Sequence, residues 1–111
     1  MPLPDGQQPH ELVVTNTQDE PTGLDLNAVL FVESEGKSAV FYEADRRVVT
    51  RMRFADVLSL LPPDQFMRIH KSYAINLAHI HKIEHEQVLM GDKLPVPLSP
   101  GYRDALRARV R

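Results

Sequence analysis

"FMRIHKSYAINLAHIHKIEH", Phe66–His85, follows the double proline Pro62-Pro63 by two residues and carries three of the chain's five histidines in its last seven positions. A helix or a strand reading of this stretch decides the fold. β-Branched Ile75, Ile80 and Ile83 are spread through short runs, "YAIN" and "HIHKIE", that no helical stripe joins, so the stretch reads as strands. Working outward, the period changes just upstream. Phe54, Val57, Leu58 and Leu61 fall at i, i+3, i+4 and i+7, one stripe of a helix that Pro62-Pro63 stops. Downstream, "QVLM" and "KLPVPL" are strands around the turn "GDK", and the tail after Leu98 is a second helix. There Ser99 is the expected N-cap, Pro100 fits the first helical position, and Tyr102, Leu106 and Val110 recur every four residues.

Before the first helix, "ELVVTN", "DLNAVLFVES", "SAVFYEA" and "RVVTRM" are rich in β-formers and separated by turn residues. In Ser38–Glu43, Ala39 and Phe41 face opposite to Val40 and Tyr42, so both faces of that strand carry apolar atoms. The connector "EADRR" closes a hairpin from Val40 to Val49. The fold expected is mainly β, of small antiparallel sheets with one central and one C-terminal helix. Residues 1–10, with three prolines and a glycine, read as a flexible tail or linker, and residues 11–111 as one domain.

At 111 residues there is room for one modest core and little for a deep catalytic cleft. The absence of cysteine excludes disulfides, thiol nucleophiles and thiolate zinc sites. No targeting segment is legible, and no apolar run approaches the roughly 18 residues of a membrane span, so the expectation is a soluble, cytoplasmic protein. Net charge is −2, without the basic excess usual in nucleic-acid binders. Its distribution is uneven: residues 1–45 hold one basic and nine acidic residues, the remainder twelve and six. Such asymmetry fits one acidic and one basic face, or two halves that intermix and cancel.

Three motifs invite a catalytic reading and fail on context. "HKIEH", His81–His85, matches an inverted zinc-protease pattern that needs both histidines on one helical turn. On a strand they stand roughly 13 Å apart. "EGKS", Glu35–Ser38, imitates the end of a phosphate-binding loop, but Phe31 occupies the place of its first glycine and a strand follows instead of a helix. No serine lies in a nucleophile elbow. We therefore expect no enzyme activity, no cofactor and no metal site.

What remains is the front half of the opening stretch, where Arg68, His70, Lys71, Ser72 and Asn76 alternate with Met67, Ile69, Tyr73 and Ile75. Cations with hydroxyl and amide donors suit phosphates and base edges, and equally a charged, solvated strand edge. Here the sequence resembles the LytTR-type DNA-binding domain, the output module of many bacterial response regulators in two-component systems. The resemblance is carried by "VLFVESEG", by the pattern F-x-R-x-H-[RK]-S-[YF]-x-x-N matched at Phe66, Arg68, His70, Lys71, Ser72, Tyr73 and Asn76, and by "LPVPLSPGYRDAL". It runs from about Asp25 to Val110.

The resemblance implies a fold that reads double-stranded DNA with loops set into successive major grooves, usually as two copies on direct repeats. It implies three loops. The first is Glu35–Ala39, with Lys37 and Ser38 on phosphate and Ala39 either silent or against a thymine methyl. The second is His70, Lys71 and Ser72, with Lys71 on a base edge or phosphate and Ser72 on phosphate. The third runs from Ser99 to Arg103, where Pro100-Gly101 replaces a pair of cations common in the family and Arg103 substitutes. Arg68 and His70 stay open between internal hydrogen bonding and DNA. Asn76 reads as turn-stabilising, and Phe66, Ile69, Tyr73, Leu77 and Ile80 as core. The function expected is a sequence-specific DNA-binding transcriptional regulator, a dimer on DNA, with a receiver or sensor domain or a regulatory protein as further partner. The alternative is a protein-interaction or inhibitory regulator with weak or no DNA binding, which the −2 charge and Pro100-Gly101 favour.

Overall fold

The run Val29–Glu35 forms the central strand of the protein; its apolar first part, Val29–Val32, is buried, as a strand covered on both faces requires, and its polar end, Glu33–Glu35, emerges toward the surface. The computed structural model describes residues 11–110, so the tail reading of residues 1–10 lies outside the described residues. In chain order the strands are β1 (Glu11–Thr15), β2 (Pro21–Asp25), β3 (Val29–Glu35), β4 (Ser38–Glu43), β5 (Arg47–Thr50), β6 (Phe66–His70), β7 (Tyr73–Asn76), β8 (Ile80–Ile83), β9 (Gln87–Met90) and β10 (Leu94–Pro97). The helices are α1 (Phe54–Leu60) and α2 (Pro100–Arg109), with one 3-10 turn at Leu77–His79. All pairings are antiparallel: a two-stranded β1-β2 ribbon, a five-stranded sheet in the order β5-β4-β3-β7-β6, and a three-stranded β10-β9-β8 sheet.

The five-stranded sheet is the middle of three layers. On one face Val32, Phe41 and Ala74 pack with Val14 and Leu24 of the ribbon and with Phe54 and Val57 of α1. On the other, Phe31 and Ile75 pack with Val88, Met90 and Val96 of the small sheet and Leu106 of α2. Alternation along β4 follows: Ala39 and Phe41 enter the first core and Tyr42 the second. The expected hairpin is present, with Val40 opposite Val49. Of the five residues read as core, Phe66 and Ile69 are buried, while Tyr73, Leu77 and Ile80 are half-buried at the margin of the second core.

Two boundaries differ from the sequence reading. "DLNAVLFVES" is not one strand, because Asp25 Oδ1 accepts the Asn27 N–H at 3.0 Å and Asp25 O the Ala28 N–H at 2.9 Å. That Asx-type turn separates β3 from β2, a strand whose "PTGLD" sequence gave little β signal. Likewise "HIHKIE" starts as a 3-10 turn, since Asn76 Oδ1 accepts the Ala78 N–H at 3.0 Å. Ser99 does occupy the N-cap position of α2, but its side chain makes no capping bond.

Candidate nucleic-acid interface

Loop contact begins with the pairing of β3 to β7, which no local pattern announces. β3 ends at a tight turn in which Gly36 has φ +62°, a conformation that favours glycine, and Lys37 stands beyond it. β6 ends at His70 and β7 begins at Tyr73, so Lys71 and Ser72 form the tip of a second turn. With β3 and β7 adjacent, the two turns lie side by side, and Ser34 N–H donates to Ser72 O at 2.8 Å. Ser99 N–H donates to Ile69 O at 2.9 Å, which brings the start of α2 alongside. Three segments distant in sequence thus share one end of the molecule.

The second turn is held from within. A bulge between Arg68 and His70 breaks the β6–β7 register and lets Ile69 enter the core while Lys71 stays exposed. Arg68 Nε donates to His70 O at 3.1 Å and Nη2 to Lys71 O at 2.6 Å, and the guanidinium lies 5.4 Å from the centre of the Phe54 ring. Arg68 therefore organises the turn through hydrogen bonds to its backbone, and a lysine cannot form that two-pronged contact. His70 Nδ1 accepts the Ser72 N–H at 3.1 Å, which leaves Nε2 as the ring's N–H donor. The ring also meets Tyr73 edge-on at 5.5 Å.

The charged groups left over are few. Lys37 and Lys71 are exposed and have no hydrogen-bonding or ionic side-chain partner among the described residues. Half-buried Ser38, Ser72 and Ser99 have hydroxyls without a partner among those residues. Arg103 is half-buried and donates through Nε to His85 O at 2.9 Å, so part of its donor set serves the β8–β9 turn. Ala39 has no exposed surface and belongs to the first core. Of its two readings, silent or against a thymine methyl, the second is therefore corrected: alternation along β4 turns Ala39 onto the face of Phe41, away from solvent.

The back half of the opening stretch is different. His81 and His85 are exposed, and His79 Nε2 pairs with Asn27 O at 2.5 Å. "HKIEH" runs off the end of β8 and is not helical, and no group of three or more His, Asp or Glu among the described residues is placed to hold a metal ion. Asn76, fully buried, donates through Nδ2 to Leu26 O at 3.1 Å and Val29 O at 2.9 Å, in keeping with its turn-stabilising role.

Sequence reasoning passed over Glu33. Its carboxylate accepts Tyr42 Oη–H on Oε1 and Tyr73 Oη–H on Oε2, each at 2.7 Å. Tyr73 is pushed up to about 12 by that hydrogen bond first and then by burial, and Tyr42 is raised by burial first and then by Glu33. The available signal was a carboxylate ending an apolar run, with aromatic residues on both neighbouring strands.

A family model described as the LytTr DNA-binding domain matches residues 21–111. The chain belongs to the LytTr DNA-binding domain family. Among relatives, the transcriptional regulatory protein YpdB of Escherichia coli K12 is 32% identical over 59 residues, which are 53% of this chain and 24% of YpdB. The CO-responsive transcriptional regulator RcoM of Rhodospirillum rubrum is 32% identical over 57 residues, 51% of this chain and 24% of RcoM. The matches thus span about a quarter of these relatives' length. A LytTr DNA-binding domain structure from Bacillus cereus superposes with a TM-score of 0.76 at 22% identity, covering 93% of this chain and 98% of that one. The LytTr fold is therefore shared, and the family match begins inside the ribbon, at β2, whereas β1 pairs with it along its whole length.

Proposed function

We propose that this LytTr domain binds double-stranded DNA sequence-specifically and serves as the output element of a transcriptional regulator. The observation that carries the reading is the row of three loops tied by the Ser34–Ser72 and Ile69–Ser99 backbone bonds, with Lys37 and Lys71 exposed along it and without a side-chain partner among the described residues. A major groove about 12 Å wide admits a two-stranded β-ribbon, the element that ends in each of the first two loops. In this reading Lys71 reaches a base edge such as guanine O6/N7. His70 offers Nε2–H beside it. Lys37 and the hydroxyls of Ser38, Ser72 and Ser99 hold phosphates, and Arg103 contributes the guanidinium nitrogens its bond to His85 leaves over.

Arg68 acts differently, as the scaffold of the second turn. The family is one of DNA-binding domains and not of enzymes, and the names of YpdB and RcoM support a regulatory role. Two copies on direct repeats would compensate for the −2 net charge, since linked binding raises affinity without new contacts. A receiver or sensor domain outside this segment would supply that link.

Selection of a preferred duplex from random sequence, followed by anisotropy titration over a salt series, tests the reading. Lys71→Ala should weaken binding to the selected duplex by about tenfold, the loss of one good base contact. Lys37→Ala should instead weaken binding to all sequences and reduce the salt slope by about 0.9. A domain that selects no sequence but captures a protein partner would support the inhibitory alternative, which exposed Pro100-Gly101 favours by leaving the third loop without cations at those positions.

A further inference from the structure

Glu33 stands two residues before the first loop and opposite Tyr73, the residue that follows the second, and its bonds lead toward both. On one side Tyr73 sits opposite Glu33 across the β3–β7 ladder, donates to Oε2 at 2.7 Å, and meets the His70 ring edge-on at 5.5 Å. His70 in turn accepts the Ser72 N–H, so the path ends at the tip that carries Lys71. On the other side Tyr42, from β4, donates to Oε1 at 2.7 Å, stacks on Phe31 at 4.5 Å and lies under the Arg47 guanidinium at 5.9 Å. Arg47 reaches Glu35 at 3.7 Å, at the foot of the turn that carries Lys37. One side chain therefore braces the strands on both of its flanks.

This arrangement is more than is needed to fill space. Phe31, with its ring on Tyr42 and Tyr73, already supplies apolar contact to both aromatic residues. A carboxylate below an expected phosphate surface would repel DNA, yet each of its oxygens is engaged by a hydroxyl. Hydrogen bonds to a charged acceptor are stronger and more directional than neutral ones, and recognition groups need placement to about 0.5 Å.

We infer that Glu33 is the positioning residue that sets the first loop against the second, through Tyr42 and Tyr73, and thereby fixes sequence selectivity. The inference rests on the DNA-binding reading above. Glu33 itself touches no DNA in this scheme. Its removal should therefore loosen the register between Lys37 and Lys71 while leaving the number of phosphate contacts unchanged.

Glu33→Gln and the double variant Tyr42→Phe/Tyr73→Phe test this, at a temperature where circular dichroism shows every variant folded. Both should lose about tenfold affinity for the selected duplex, keep wild-type affinity for a scrambled duplex, and keep the wild-type salt slope. Amide hydrogen exchange at Lys37, Ser38, Lys71 and Ser72 should quicken while Val32 and Ile75 stay protected. If Glu33→Gln unfolds, the tyrosine pair, which removes only hydroxyls, gives the answer. A wild-type selectivity ratio together with unchanged loop exchange overturns the inference. So does equal loss on both duplexes, the mark of a general structural defect. If wild type prefers no sequence and Lys71→Ala has no effect, the DNA reading fails; loop exchange then still decides whether the brace exists.

Discussion

The two halves of Phe66–His85 have similar strand-like sequences and opposite uses of their polar residues. In the front half and at its boundary, Arg68, His70 and Asn76 bond the backbone of a turn or a neighbouring strand. In the back half, His81 and His85 are exposed, and only His79 is tied to a backbone oxygen. The difference teaches that the polar residues of this protein matter according to which backbone groups they satisfy. Metal-ligand spacing singles out the back half. Hydrogen bonding singles out the front.

Substitution can break or sharpen that contrast. The largest effect is expected at Asn76. Asn76→Ala strips partners from buried Leu26 O and Val29 O and from the Ala78 N–H, and should cost about 3 kcal/mol in urea unfolding. Arg68→Ala should come next, at about 1–2 kcal/mol, because two turn carbonyls lose a charged donor but gain access to water. Arg68→Lys should recover less than half of that, which separates the forked geometry from charge alone. His81→Ala and His85→Ala should each stay within about 0.5 kcal/mol of wild type, as for exposed positions without partners.

A pH profile probes the brace between the loops. Tyr73 is raised to about 12 from an ordinary value near 10, and Tyr42 is raised as well. The folded state therefore holds these protons more tightly than the unfolded chain. Stability from this source is complete below about pH 10 and is lost as pH rises toward 12. Tyr73→Phe should flatten that alkaline fall in a pH series of thermal melts, a smaller change than those at Asn76 or Arg68.

Much of the fold was legible because its signals are local. The i, i+3, i+4, i+7 stripe from Phe54 and the hairpin from Val40 to Val49 both appear where the sequence places them. The Asp25 turn was hidden by apolar residues on both sides of it, so β2 and β3 read as fewer elements than they are. The site was less legible. Lys37, Lys71 and Ser72 could be singled out by residue type and family pattern, but their proximity depends on β3 pairing with β7, forty residues apart. For Ala39, silent or against a thymine methyl, burial decides for silence, as the alternation that pairs it with Phe41 already implied. Glu33 was missed because a carboxylate that ends an apolar run reads equally as the solvated end of a strand.

The comparison of the two halves turns finally on DNA. Anisotropy titration of Lys71→Ala beside His81→Ala, on the selected duplex and at one salt concentration, tests it most directly. We expect Lys71→Ala to bind about tenfold more weakly and His81→Ala to bind as wild type. Wild-type affinity in Lys71→Ala, or an equal loss in His81→Ala, would contradict the assignment of the interface to the braced front half.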